Sequence, residues 1–247
     1  MGIFVTTSVY ALAKQLGFQG ADHEFKKQVD NPNGASLACA RAIRRLRECD
    51  ELGLRVDMGV GTAAKMRSRM ADYAWQARER CDVWCALDDD CEATLETFQM
   101  ALKVVRHTKG IVTIPYMLRR SEDQSECLSC SLVEPPLVRV VAGVHVARTK
   151  VGGFGLVLTH RDALERIRRD GGAPWFSDLD DGGTSRPALF AELQSNDRWY
   201  GEDWSFFLRV PATVQVDALL EGVSHHEGRV LPLHRALELP RPTFEEN

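Results

Sequence analysis

The first half of the chain alternates between short apolar runs and stretches whose apolar residues recur at helical spacing. The apolar runs predict β-strands over 3–9, 54–60, 82–87 and 111–115. The periodic stretches predict helices over 35–52, 62–80 and 92–107. The run at 82–87 is apolar at nearly every position, which is typical of a strand buried on both faces. This alternation predicts an α/β fold with a mostly parallel sheet covered by helices.

The second half has a different pattern. Residues 137–157 are rich in Val and Gly with alternating stretches, which predicts antiparallel β-structure, and 162–169 predicts a short helix. Residues 175–195 predict a loop, after which a helix is expected to begin near Glu202. Because no linker separates the two halves, we expect one domain over 1–247, in which 1–110 and 111–247 form the halves.

Composition narrows the class of protein. The 247 residues are 44% hydrophobic and 27% charged, which indicates a globular chain, and the net charge of −4 provides no general attraction to nucleic acid or anionic lipid. The sequence contains neither the run of about 18 apolar residues that a membrane span needs nor a signal-peptide pattern. Its seven cysteines are irregularly spaced, which predicts free thiols and a cytoplasmic protein.

Three consecutive aspartates, Asp88, Asp89 and Asp90, follow the buried third strand directly. The carboxyl ends of strands in open α/β sheets form the ligand crevice, and in an extended chain Asp88 and Asp90 point the same way. Neighbouring carboxylates repel one another, and hard oxygen ligands suit Mg²⁺ or Mn²⁺, which can bridge to a diphosphate. The alternative is a solvated turn in which Asp90 caps the following helix.

Two other polar segments have plainer interpretations. The acidic, Gly-rich segment 178–183 has no buried strand before it, so a mobile surface loop is predicted. Cys127 and Cys130 have the spacing of half a zinc site, and Cys81, Cys85 and Cys91 could supply the remainder. The third strand places Cys81 and Cys85 in core-like settings, however, and the sequence has no second such pair. We therefore expect 119–130 to be a polar loop.

Two further motifs follow the acidic triplet in order: Gly-Glu-Asp-x-x-Phe-x-x-Arg over 201–209 and His-x-Gly over 226–228. Together with the strand and its three aspartates, they resemble the GT-A-fold nucleotide-sugar glycosyltransferases, most closely the large family 2 type. The likeness includes the arginine-containing segment 66–71 and the glycine-led segment 153–161, so it covers roughly 65–228. It implies a GT-A-type, Rossmann-like sheet with a smaller mixed β part.

The resemblance implies a metal site at the acidic triplet. Asp90 would bind Mn²⁺ or Mg²⁺ directly, as part of the DxD motif of that family. Asp88 would contact the ribose of the donor or the metal through water, and Asp89 would lie among the donor contacts. His226 would be a further metal ligand, with His225 as the nearby alternative.

The Glu-Asp pair is implied to be catalytic. In the family, the aspartate of this pair is the base that deprotonates the acceptor hydroxyl, so the role falls on Asp203, with Glu202 beside it. The alternative is that both are stabilising charges in the first turn of a helix. Trp204 would stack on a sugar ring of the donor or acceptor, or else belong to the core.

Other donor contacts are expected at the first two strands and the second helix. The GT-A architecture places the nucleotide at the end of the first strand, where Thr6 and Thr7 lie. Asp57 could contact the base or ribose, and its alternative is a polar strand-end residue. Arg67 and Arg69 could balance the diphosphate charge, and their alternative is a solvated helix face.

These expectations describe a metal-dependent, inverting glycosyltransferase that moves a sugar from a nucleoside-diphosphate sugar, such as a UDP-sugar, to an acceptor hydroxyl. Residues 1–110 would then bind the nucleotide and 111–247 the acceptor, whether glycan, small molecule, protein or modified DNA. Three alternatives remain open: transfer to hydroxylated bases of phage DNA, a sugar-nucleotide nucleotidyltransferase, and an inactive nucleotide-sugar-binding module. The DNA alternative needs a basic face, for which the arginines within 41–47, or Arg119 and Arg120, are candidates.

Overall fold

The computed structural model describes residues 1–8, 34–57, 62–119, 126–195, 198–226 and 229–239. The last positions of the predicted first and second strands, 9 and 58–60, lie outside the described residues. Gly228 of the His-x-Gly motif lies outside them as well.

The helices match the predicted ones in order, with different ends. They are α1 (Gly34–Cys49), α2 (Ala63–Gln76), α3 (Leu95–Thr108), α4 (Arg161–Asp170) and α5 (Glu202–Leu208). Helix α3 begins later than predicted because the hydroxyl of Thr94 accepts a hydrogen bond from the Thr97 amide at 3.2 Å and caps it. The cap is therefore Thr94, and the interpretation of Asp90 as the helix cap is wrong.

Eighteen strands occur in the described residues. The first nine are β1 (Gly2–Ser8), β2 (Leu52–Asp57), β3 (Cys81–Asp88), β4 (Cys91–Ala93), β5 (Ile111–Thr113), β6 (Met117–Arg119), β7 (Glu126–Leu128), β8 (Cys130–Leu132) and β9 (Val138–Val141). The others are β10 (Val144–Gly152), β11 (Leu156–His160), β12 (Trp175–Asp178), β13 (Thr184–Pro187), β14 (Leu193–Ser195), β15 (Arg198–Tyr200), β16 (Val216–Leu219), β17 (Val223–His226) and β18 (Arg229–Pro232).

Nine of these strands form the central sheet, in the order β2-β1-β3-β11-β5-β16-β10-β8, with β9 paired to β10. Strand β1 is parallel to β2 and β3, and β5 is parallel to β16. Strand β11 lies antiparallel between β3 and β5, so β2, β1, β3, β5 and β16 all run in one direction. The predicted α/β class, a mostly parallel sheet flanked by helices with a smaller mixed β part, is confirmed.

Strand β3 separates two hydrophobic cores. Val83, Cys85 and Leu87 face the core that contains α1 and α3. Trp84 and Ala86 face the opposite core, to which α2, α4 and α5 contribute. Because successive side chains of a strand point to opposite faces, this alternation shows that helices cover both sides of the sheet. The apolar run that predicted a doubly buried strand is thereby explained.

Two segments that were expected to be loops contain strands. Residues 175–195 form the β12–β13 hairpin and strand β14, and 119–130 contributes β7 and the beginning of β8. The acidic segment is not a surface loop at its start, because Asp178 is fully buried and accepts from Nε of Arg69 at 2.6 Å. Cys127 and Cys130 are buried in this β-structure, and all seven cysteines are free thiols, as predicted.

Candidate active site

The acidic triplet lies where three parallel strands end. In the ladder registers, Asp57 of β2 pairs with Ser8 of β1, and Ser8 pairs with Asp88 of β3. Asp57, one of the expected donor contacts, therefore stands at the same sheet edge as Asp88. The acidic triplet thus occupies the carboxyl-end crevice, the place at which α/β sheets bind ligands.

Arg67 of α2 joins this strand end to the Glu-Asp pair of α5. Its guanidinium lies 3.1 Å and 3.2 Å from the two carboxylate oxygens of Asp88 and 3.3 Å from Oε1 of Glu202, and it also contacts Oδ1 of Asp203. Burial lowers the pKa of Arg67, but the charges of Asp88 and Glu202 outweigh that effect and raise it. One guanidinium therefore holds three of the predicted site carboxylates together.

Asp203 receives a second donor from the glycine-led segment. The Phe154 amide donates to Oδ2 of Asp203 at 3.1 Å, so a backbone group orients this carboxylate while Arg67 contacts its other oxygen. Trp204 is half-buried, and its ring is stacked with that of Tyr200 at 6.5 Å between centroids and 21° between planes. The Glu-Asp pair is thus anchored through Asp203, and the residue that follows it, Trp204, is stacked with Tyr200.

The β4–β17 ladder brings the last predicted ligand to the acidic triplet. His226 pairs with Cys91, which is the residue that follows Asp90 in the chain. Nε2 of His226 lies 3.4 Å from Oδ2 of Asp90. Its Nδ1 lies 2.9 Å from the Met117 carbonyl, which can only accept, and the ring packs on Tyr116 with centroids 4.7 Å apart. A proton held at Nδ1 leaves Nε2 as the nitrogen that can ligate a metal.

The register also separates the two histidines. His225 pairs with Glu92, and alternation along a strand places it on the face opposite to His226. On that side, Glu92 accepts from Arg41 at 2.5 Å and from Arg45 at 3.0 Å. The structure therefore directs His226, and not His225, to Asp90. Two of the arginines considered for a DNA-binding face are engaged in this ion pair.

The electrostatics of the triplet differ from one aspartate to the next. Burial, together with the charges of Asp90 and Asp88, raises the pKa of Asp89 to about 6. Burial also raises the pKa of Asp90, but the hydrogen bond and charge of His226 outweigh it, so that this pKa is lowered. Asp90 is therefore the candidate ligand that is ionised, whereas burial and the charge repulsion within the triplet raise the pKa of Asp89.

Three expected donor contacts have other partners. The Thr6 hydroxyl accepts from the Trp84 indole at 2.8 Å, and Cys39 Sγ donates to the Thr7 hydroxyl at 3.5 Å. Both threonine side chains are fully buried, so neither reaches the crevice surface. Arg69 binds Asp178 through two contacts of 2.6 Å and 2.8 Å. The sequence near Thr6, Thr7 and Arg69 does not indicate these partners, which are distant along the chain.

A divalent cation fits the residues around Asp90. A carboxylate oxygen of Asp90, Sγ of Cys91 and a ring nitrogen of His226 all lie within 4.8 Å of one another. Carboxylate, thiolate and imidazole are established metal ligands, and the tautomer of His226 is suited to the role. Asp88 is engaged by Arg67 instead. Tyr116 and the Met117 carbonyl were not identified from the sequence, and Cys91 was considered only for a zinc site with Cys127 and Cys130. Its place opposite His226 follows from the β4–β17 pairing.

The sequence matches no protein-family model and no curated protein. Among solved structures, A197 from STIV is 14% identical with a TM-score of 0.49, and the alignment covers 100% of this chain and 98% of that one. A structure from Bacillus anthracis, described as a glucose-1-phosphate thymidylyltransferase in complex with a sucrose, is 10% identical with a TM-score of 0.46, covering 100% and 98%.

A glycosyltransferase involved in the glycosylation of the major capsid of PBCV-1 is 10% identical, with a TM-score of 0.32 and coverage of 67% of this chain and 62% of that one. The similar structures thus include a glycosyltransferase and a nucleotidyltransferase. At these identities the likeness concerns the fold alone. In the described part of the chain, no helix has both the length and the apolar character that a membrane crossing requires.

Proposed function

We propose that the chain is a metal-dependent glycosyltransferase of the GT-A, family 2-like type, which moves a sugar from a nucleoside-diphosphate sugar to an acceptor hydroxyl with inversion. The proposal depends mainly on the meeting of three distant sequence segments at the end of β3. Asp90 lies 3.4 Å from His226, and Arg67 links Asp88 to Glu202 and Asp203. Their order along the chain is that of the family motifs.

Donor binding is assigned to the acidic triplet and its surroundings. Asp90 and His226 would hold Mn²⁺ or Mg²⁺, and Asp88 and Asp89 would contact the donor. When bound, the cation would neutralise charge on the departing nucleoside diphosphate. Arg67 contacts Asp88 and Asp203 and would add positive charge beside the diphosphate, provided that the donor draws it from these carboxylates.

Asp203 is assigned as the general base. It would accept the acceptor's hydroxyl proton while the hydroxyl oxygen bonds to the anomeric carbon and the bond from that carbon to the diphosphate oxygen breaks. Attack opposite to the leaving group inverts the configuration. The Phe154 amide at 3.1 Å from Oδ2 keeps the carboxylate oriented. Trp204 and its stacked neighbour Tyr200 would border the sugar.

A donor panel tests this function. The purified chain is incubated with UDP- and GDP-sugars, with Mn²⁺ or with a chelator, and released nucleotide is measured with and without added hydroxyl acceptors. At least one donor should be turned over in the presence of Mn²⁺, and chelation or Asp90→Ala should abolish this turnover. The matched control is Asp170→Ala, because Asp170 is exposed at the end of α4 and contacts Arg169. Full metal-dependent turnover by Asp90→Ala would refute the assignment of Asp90.

A further inference from the structure

A buried thiol belongs to the group of candidate metal ligands. Cys91 has no exposed surface, and its Sγ donates to Oδ1 of Asp90 at 3.4 Å. The same sulfur lies within 4.8 Å of the ligand atoms of Asp90 and His226. The family resemblance assigns no role to this residue, so its position beside the two predicted ligands requires an explanation of its own.

The backbone determines where this thiol points. Cys91 stands directly opposite His226 in the antiparallel β4–β17 ladder, and side chains at opposite positions of such a ladder lie on the same face. On its other side the thiol has little free space, because a Cβ added at Gly155 would lie 2.6 Å from Sγ and 2.9 Å from the Tyr116 hydroxyl. The sulfur is therefore held next to the imidazole by strand register and packing.

We propose that Cys91 is a third protein ligand of the cation held by Asp90 and His226, so that the site selects a thiophilic divalent cation such as Zn²⁺ or Co²⁺ over Mg²⁺. The inference rests on the metal site of the proposed function. Thiolate sulfur favours Zn²⁺ and Co²⁺, whereas Mg²⁺ prefers an all-oxygen shell. Metal binding replaces the thiol proton, which leaves to solvent.

The geometry requires only a small closure of the site. In a tetrahedral site with bonds of about 2.0–2.3 Å, ligand atoms lie roughly 3.3–3.8 Å apart. Nε2 of His226 lies 3.4 Å from Oδ2 of Asp90, and Sγ of Cys91 lies 3.4 Å from Oδ1 of the same carboxylate, so each contact is in that range but to a different oxygen. The widest separation in the group, up to 4.8 Å, has to shrink by about 1 Å. Three protein ligands leave the fourth position for water or a donor oxygen.

Cobalt titration of the full chain tests the thiolate directly. Co²⁺ should produce a near-ultraviolet thiolate-to-metal charge-transfer band in the wild-type protein, and this band should be absent from Cys91→Ser. Loss of the sulfur ligand should weaken Zn²⁺ binding by at least about tenfold, since even outer-sphere changes cost 10–100-fold, while Mg²⁺ binding stays within about twofold. Cys81→Ser is the control, because Cys81 lies at the opposite end of β3 and should leave the band unchanged.

A second measurement avoids any effect of the substitution on folding. X-ray absorption of the zinc-loaded wild-type protein should show one sulfur at about 2.3 Å beside nitrogen or oxygen at about 2.0–2.2 Å. One outcome separates the two proposals: the wild-type protein binds a cation, Asp90→Asn weakens that binding, and the spectrum shows no sulfur ligand. This result overturns the role of Cys91 and leaves the proposed function intact. Absence of cation binding by the wild-type protein, with and without UDP, overturns both.

Discussion

Nε2 of His226 lies 3.4 Å from Oδ2 of Asp90, although the two residues come from opposite halves of the chain. Because Nδ1 of His226 faces the Met117 carbonyl at 2.9 Å, a neutral imidazole presents a lone pair to a carboxylate oxygen. Such a contact is favourable only with a positive charge at or between the two groups, either a proton on Nε2 or a bound cation. This contact is the physical basis of the metal site in the proposed function.

The two adjacent histidines should behave differently. His226→Ala should weaken Mn²⁺ binding by at least about tenfold, because it removes a direct ligand and even outer-sphere changes reach that size. His225→Ala should leave the affinity nearly unchanged, because His225 lies on the face of Glu92. Isothermal calorimetry with Mn²⁺ in the presence of UDP compares the two variants. Equal losses in both would contradict the β4–β17 register as the reason for the assignment.

Substitution of the proposed base should separate chemistry from binding. Asp203→Asn keeps the shape and the hydrogen bond from the Phe154 amide but cannot accept the proton, so transfer should fall by about 10²–10⁴-fold. Donor affinity, measured by calorimetry, should change little. Glu202→Gln is the matched variant, since Glu202 also contacts Arg67 but is not the assigned base. Undiminished transfer by Asp203→Asn would remove Asp203 from that role.

Arg67 should stabilise the fold through its contacts with three carboxylates. Arg67→Ala leaves three carboxylates together without their shared cation. We expect it to cost about 3 kcal/mol of unfolding free energy at neutral pH, at the lower end for a broken buried pair because these carboxylates are 26–29% exposed.

Urea unfolding of the variant and of the wild type at neutral pH measures this cost. Arg44→Ala, on the exposed face of α1, should stay within about 0.5 kcal/mol of the wild type. A cost for Arg67→Ala as small as that of Arg44→Ala would contradict the stabilising role of Arg67.

His160 should make the fold sensitive to mild acid. Its Nδ1 caps α4 by accepting from the Asp162 amide at 3.1 Å, and burial lowers its pKa despite the opposing charge of Asp162. Below about pH 6.5, His160 therefore binds fewer protons in the folded protein than in the unfolded chain. Its contribution to the unfolding free energy is present above that pH and is lost as the pH falls.

His160→Asn can cap the helix without titrating, so its unfolding free energy should vary less between about pH 7 and 5 than that of the wild type. His107→Asn, an exposed substitution at the end of α3, should retain the wild-type slope. Urea denaturation as a function of pH provides the comparison. An unchanged slope in His160→Asn would show that another group titrates.

Part of the site could be predicted because its signals are local. The apolar run of β3 and the aspartates that follow it predicted a buried strand with an acidic end, and the carboxyl ends of β2, β1 and β3 do lie side by side. For Thr6 and Thr7, the local sequence predicted the position in the strand but not the contacts of the side chains. Their position in the strand is as predicted, but their hydroxyls bind Trp84 and Cys39 inside the cores.

The sequence by itself determined the β–α alternation, the doubly buried strand and the acidic strand end, because short-range periodicity and strand polarity follow from neighbouring residues. The tertiary structure alone decided that His226 and not His225 meets Asp90, that Cys91 stands opposite that histidine, and that Arg67 joins Asp88 to Asp203. These relationships depend on the register of β4 against β17 and on the packing of α2 and α5. A shift of one residue in such a ladder exchanges the faces of all its side chains, and distant pairing of this kind leaves no trace in local sequence.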